Sequence, residues 1–125
     1  MWQFINRVHF ALSGWLQFFR TEKNGQIQMI LAVAVVLLGL VFRINPLEWM
    51  AVGLCIGGVL ALEMVNSALE KLCDLVQPNQ DPRIKFVKDV AAGAVLWFVC
   101  IAIVIGAGIF LPKIWALVLA QTKTA

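Results

Sequence analysis

Glu63, Asn66, Glu70 and Asp74 fall within one short stretch, LEMVNSALEKLCD, at the end of a strongly apolar run. In a helix each residue turns by 100°, so these four polar groups lie within about 80° of one another and share one stripe. Their depth follows from the helical rise. If the apolar segment starts near Trp49, Glu63 lies about 21 Å along it. In a hydrocarbon core about 30 Å thick, that is roughly 9 Å short of the far boundary. Glu70 then lies at the boundary itself. A carboxylate inside a membrane is expensive and marks function unless a structural hydrogen bond to a neighbouring helix accounts for it. Glu70 and Asp74 could each be ordinary interfacial charges; the shared stripe is what singles them out.

Residues from two other segments reach the same level. TEKNG places Glu22 just before one apolar run, and KFVKDVAAG places Lys88 and Asp89 just before another. Two carboxylates at one level, Glu22 and Glu70, can hold Mg²⁺, which takes oxygen ligands together with substrate phosphates. Lys88 beside them can meet phosphate as a point charge. Glu63 sits deeper, within reach of a lipid headgroup. The pattern suits a reaction between a water-soluble phosphate donor and a membrane-borne acceptor. It suits equally a salt-bridged bundle end, for instance Glu70 with Lys88.

The elements that must position these groups can be read from the apolar runs. The chain has 125 residues, 62% of them hydrophobic, with mean hydropathy +0.88. Soluble domains average about 45–50% apolar residues, so the composition is that of a membrane protein. Residues 24–42 form an uncharged run long enough to cross. RINPLEW is a turn in which Pro46 opens the next helix. That helix, 47–75, must continue through Glu63 to complete its crossing. VQPNQDPR is a polar loop. A third helix is expected over 84–112, beginning before the membrane and ending near Pro112. Before all of these, Trp2, Ile5, Val8, Leu12, Trp15 and Phe19 recur at helical steps. With Arg7 and Arg20 beside them, residues 1–20 read as a surface helix in the membrane interface or packed on the bundle. The predicted fold class is all-α, a single membrane domain.

Gly53, Gly57 and Ala61 form a second stripe on the middle span, turned away from the acidic one and suited to close helix contact. Basic residues gather before the first span and around the second loop, which places the N-terminus and that loop in the cytoplasm and the C-terminus outside. Arg43, Lys113 and Lys123 belong to the other side. The net charge of +3 is spread out and gives no nucleic-acid footprint. His9 has no second His or Cys beside it for a zinc site. The odd cysteine count, Cys55, Cys73 and Cys100, argues against a disulfide framework, and the three read as small buried hydrophobes.

The segment LEMVNSALEKLCD followed by KDVAAGAVL resembles the bacterial integral-membrane lipid kinases, the diacylglycerol kinase and undecaprenol kinase family. The shared pattern is E-x-x-N-[TS]-A-[IL]-E-x-x-x-D, then a short loop, then K-D and small residues. The likeness runs from about residue 10 to 112 and includes EKN at Glu22 and LEW at Leu47. It implies a kinase without a P-loop or protein-kinase signature, and this sequence has neither. It also implies three transmembrane helices, an N-terminal surface helix and a homotrimer in a bacterial inner membrane, with active sites shared between subunits.

By matching position, the resemblance makes Glu63 the catalytic base, with Asn66 in the same motif. Glu22 and Glu70 become ligands of Mg²⁺, Lys88 a phosphate contact, and Asp74 and Asp89 neighbours of the nucleoside of ATP. The implied acceptor is a membrane lipid, undecaprenol or diacylglycerol. The strings EKN, LEW and KDVAAGAVL are closer to the undecaprenol branch. Three positions depart from the pattern: Asp81 stands where a histidine is common, Gln28 where histidine or glutamate is common, and Gln3 where some relatives carry a phosphate-binding arginine. Two other readings remain, a proton- or ion-conducting bundle and an inactive structural relative. A conducting path would have to pass a third span without a charged group.

Overall fold

In the computed structural model residues 1–122 are described, apart from the side chains of Trp2 and Gln3. The expectations placed on those two side chains and on Lys123 lie outside the described residues. Four helices follow one another: α1 (Trp2–Thr21), α2 (Lys23–Val41), α3 (Pro46–Val76) and α4 (Pro82–Thr122). α2, α3 and α4 are each long and apolar enough to cross a membrane.

A single extended residue, Glu22, separates α1 from α2. Two contacts set this corner. The Phe18 ring lies so close over Gly25 that a Cβ there would come within 2.5 Å of it. Gln26 donates from Nε2 to the carbonyls of Phe19 and Arg20 at 3.1 and 3.3 Å, satisfying helix-end acceptors that α1 itself cannot. The apolar stripe of α1 does not pack on the bundle: Ile5, Val8, Leu12 and Trp15 are exposed, and the buried side chain is Phe18.

The turn between α2 and α3 is closed from both sides. Ile44 N–H reaches Gly39 O at 3.1 Å and Arg43 N–H reaches Leu40 O at 3.2 Å, the paired bonds of a Schellman motif. Arg43 holds the left-handed position, φ 49°, which glycine usually takes. Asn45 then caps α3: its side chain accepts from Glu48 N–H at 2.9 Å, and Glu48 accepts from Asn45 N–H at 2.8 Å. Pro46 at the first helical position completes the signal. Beneath this turn sits the apolar core, Ile44, Val52, Ile109 and Phe110, flanked by Val35, Trp49 and Ile105.

α3 and α4 pack antiparallel. Phe98 of α4 rests on Gly58, where an added Cβ would lie 2.3 Å from the ring. This contact uses Gly58. Within the single chain nothing lies within 4 Å of a Cβ built on Gly53 or Gly57. The polar loop contracts to residues 77–81, because Asp81 caps α4 and Pro82 is already helical. Asp81 Oδ1 accepts from Arg83 N–H at 2.8 Å, and its Oδ2 pairs with the Arg83 guanidinium at 2.8 Å. That side-chain contact, with the backbone N–H, holds the Asp81 carboxyl below its ordinary pKa. α4 does not stop at Pro112 but runs on to Thr122. Its proline lacks an amide hydrogen, yet the helix resumes beyond it. Of the cysteines only Cys73 is buried; Cys55 is partly so and Cys100 is exposed, since α4 turns that face away from the bundle.

Candidate active site

The polar stripe of α3 divides by depth. Glu63 and Asn66 are buried, 4% and 6% exposed, and Ser67 joins them at 7%. Glu70 and Asp74 lie further along and are exposed. Glu63 makes no side-chain hydrogen bond or ion pair among the described residues, so the structural hydrogen bond that would account for it otherwise is not formed within the chain. Asn66 donates from Nδ2 to Glu70 Oε1 at 3.2 Å. The amide is thereby oriented, and its Oδ1 is left buried without a partner.

The other two segments converge on the same part of α3. Lys71 Nζ lies 2.5 Å from Glu22 Oε1, tying the start of α2 to the residue after Glu70. Lys88 Nζ lies 2.5 Å from Asp74 Oδ1, tying the start of α4 to the next turn. Asp89 pairs with Lys85 on its own helix. The bundle end is salt-bridged, but not by Glu70 with Lys88. Lys88 takes Asp74, and Glu70 takes the Asn66 amide. Sequence reasoning passed over Lys71 and Ser67. Ser67 stood inside the quoted motif. Lys71 carried no spacing signal, because its partner comes from a different helix.

The donor set can be tested against Mg²⁺. No group of three or more His, Cys, Asp or Glu side chains lies together among the described residues. Mg²⁺ does not require one, since it keeps waters and binds through one or two carboxylates plus substrate phosphates. Glu70, the unpartnered Oδ1 of Asn66 beside it, and Glu22 one ion pair away are all hard oxygen donors. They fit the ion.

Below the stripe is an apolar cavity of about 340 Å³ between α2, α3 and α4. Leu60, one turn from Glu63, lines it near that end, and Phe110 lines it toward the other. Gln28 also lines it, with a buried Oε1 that has no partner. Gln28 thus brings a polar group into an otherwise greasy slot.

Residues 9–110 match the profile of the family described as prokaryotic diacylglycerol kinase. The chain is 40% identical over 111 residues to undecaprenol kinase of Bacillus subtilis, covering 89% of each protein. It is 31% identical over 109 residues to diacylglycerol kinase of Synechocystis sp., covering 86% of this chain and 62% of that protein.

Proposed function

We propose that this chain, which belongs to the prokaryotic diacylglycerol kinase family, transfers the γ-phosphoryl group of ATP to the hydroxyl of undecaprenol. The activity class, a lipid kinase in a multi-pass bacterial membrane protein, follows from family membership. The choice of acceptor rests on the undecaprenol kinase likeness, with diacylglycerol as the competing acceptor. The similarities found are to lipid kinases.

The observation that carries the reading is a buried, unpartnered Glu63 one turn from Leu60, which lines an apolar cavity. A polyprenyl chain lying in that cavity would bring its terminal hydroxyl to the carboxylate. Glu63 takes the hydroxyl proton as the alcohol oxygen bonds to the γ-phosphorus and the bridging oxygen leaves with ADP. Phosphoryl transfer otherwise needs positioning and charge neutralisation. Glu22 and Glu70, with the unpartnered Oδ1 of Asn66, would hold Mg²⁺, which would neutralise phosphate charge. Lys88 exchanges Asp74 for the transferred group, and Asp74 and Asp89 face the nucleoside.

The same proposal places α1 in the cytoplasmic membrane interface, its exposed stripe among the lipids, and the C-terminus outside. It also places three copies around the uncovered Gly53–Gly57 face, with active sites shared between subunits. Glu63→Gln, reconstituted with undecaprenol or diacylglycerol and ATP or GTP, tests the reading. Loss of phosphate transfer in a variant that still inserts and assembles is expected. Turnover near the wild-type rate would remove Glu63 from the role, and a wild type active only on diacylglycerol would remove the acceptor.

A further inference from the structure

The last turns of α4 carry an apolar surface that the kinase reading does not use. Lys113 Nζ is 2.9 Å from Glu48 Oε1, and Glu48 belongs to the capping box that opens α3. The pair holds Lys113 level with the turn between α2 and α3. α2 sets the thickness on this scale: its 19 residues measure about 28 Å, close to the hydrocarbon core. Beyond Lys113, α4 therefore lies past the hydrocarbon boundary, on the face opposite the acidic stripe. It continues for about 14 Å to Thr122.

That stretch is not built for water. From Ile114 to Ala120 no side chain is charged, and the indole N–H of Trp115 is the one polar group among them. Ile114, Trp115, Leu117, Val118 and Leu119 are between 41% and 66% exposed. α3 begins at Pro46, level with Lys113, and does not reach them. Tilting α4 to draw the segment inward would break the Lys113–Glu48 pair. The run from Val90 to Ala120 would also need about 46 Å of hydrocarbon.

Pro112 supplies another way in. It offers no amide hydrogen to the Gly108 carbonyl, so α4 is weakest there. Nothing lies within 4 Å of a Cβ built on Gly106 or Gly108, so neither glycine is wedged against a neighbour, and the buried Ile109 and Phe110 hold α4 on the hinge's near side only.

We propose that Ile114–Thr122 folds over just past Pro112, with Lys113 keeping its pair with Glu48, and beds in the lipid leaflet on that face as an interfacial anchor. Lipid fits the segment better than a second copy does. Its apolar surface runs all round the helix, whereas a copy would need a one-sided stripe. It also continues the exposed column Trp97, Val104 and Leu111, which Trp115 extends at the same helical angle. Lys113 can keep its charge at the surface while its stem lies along the apolar layer, and Trp115 suits the headgroup level. The family match ends at residue 110, so the anchor lies outside the shared catalytic unit.

Nitroxide labels on Trp115→Cys and, separately, Leu119→Cys, each with Cys55 and Cys100 replaced by Ser, test this in the full chain. The vesicles would contain phosphatidylethanolamine and phosphatidylglycerol. At both sites we expect collisions with oxygen to exceed those with a water-soluble nickel chelate. Pro112→Ala should shift the Leu119→Cys label toward the chelate. Chelate-dominated collisions at both sites overturn the anchor. So does dipolar broadening between labels with both reagents excluded, which would assign the surface to a second copy.

Discussion

Lys71 Nζ lies 2.5 Å from Glu22 Oε1, so a side chain of α3 neutralises the carboxylate at the head of α2. In the proposed mechanism the ammonium and a divalent ion would compete for the same oxygen. Replacing the lysine with an uncharged side chain of similar length removes the competitor. An exposed ion pair is worth little, which limits the gain to about fivefold. Lys71→Met should lower the Mg²⁺ concentration at half-maximal turnover by about two- to fivefold and tighten Mn²⁺ binding by the same factor. Electron paramagnetic resonance titration of Mn²⁺ checks the second part without relying on activity.

The Asn66–Glu70 bond predicts a different signature. Without the amide, Glu70 loses its donor and the neighbouring oxygen disappears. Asn66→Leu should raise the Mg²⁺ requirement by about tenfold or more, in keeping with the loss of a metal's supporting partner. Asn66→Asp keeps the oxygen and adds a charge, so it should recover metal binding better than Asn66→Leu. A metal titration of both variants separates this positioning role from simple unfolding.

Two glycines should respond differently to a methyl group. At Gly25 the methyl meets the Phe18 ring at 2.5 Å, and Phe18 is buried. Gly25→Ala should therefore displace α1 from α2 and move Glu22, at a cost of about 1–3 kcal/mol. At Gly58 the obstructing Phe98 ring is only half-buried and can swing aside. Gly58→Ala should lower thermal stability less than Gly25→Ala and leave the Mg²⁺ requirement unchanged.

Arg43 pays a backbone cost at the left-handed position. Arg43→Gly should stabilise the protein by about 1 kcal/mol with unchanged turnover. A denaturation midpoint in detergent is the measurement.

Asp81 gives the pH dependence. Its carboxyl is held below the ordinary value by Arg83, so the folded state binds the proton less readily than the unfolded one. The stabilisation is present above the unfolded value, about 3.9, and is lost as pH falls through the lowered folded value. Asp81→Asn should remove that part of the acid dependence and leave stability at neutral pH less dependent on Arg83. Thermal unfolding followed from about pH 6 down to well below the unfolded value of about 3.9 shows it.

The sequence by itself determined the local features. The stripe of Glu63, Asn66, Glu70 and Asp74 follows from helical periodicity. The lengths of α2 and α3 follow from apolar runs, and the opening of α3 from Pro46. Each is a short-range consequence of residue order. Tertiary structure decided which stripe member is buried and which cation meets which carboxylate. Glu48 and Lys113 lie 65 residues apart. Lys88 chose Asp74 over Glu70, and Lys71 reached Glu22. Those choices depend on how far each helix is rotated and slid against its neighbour. The rotation and slide are set by close approaches such as Phe98 on Gly58 and Phe18 on Gly25, which no pattern along one helix can supply.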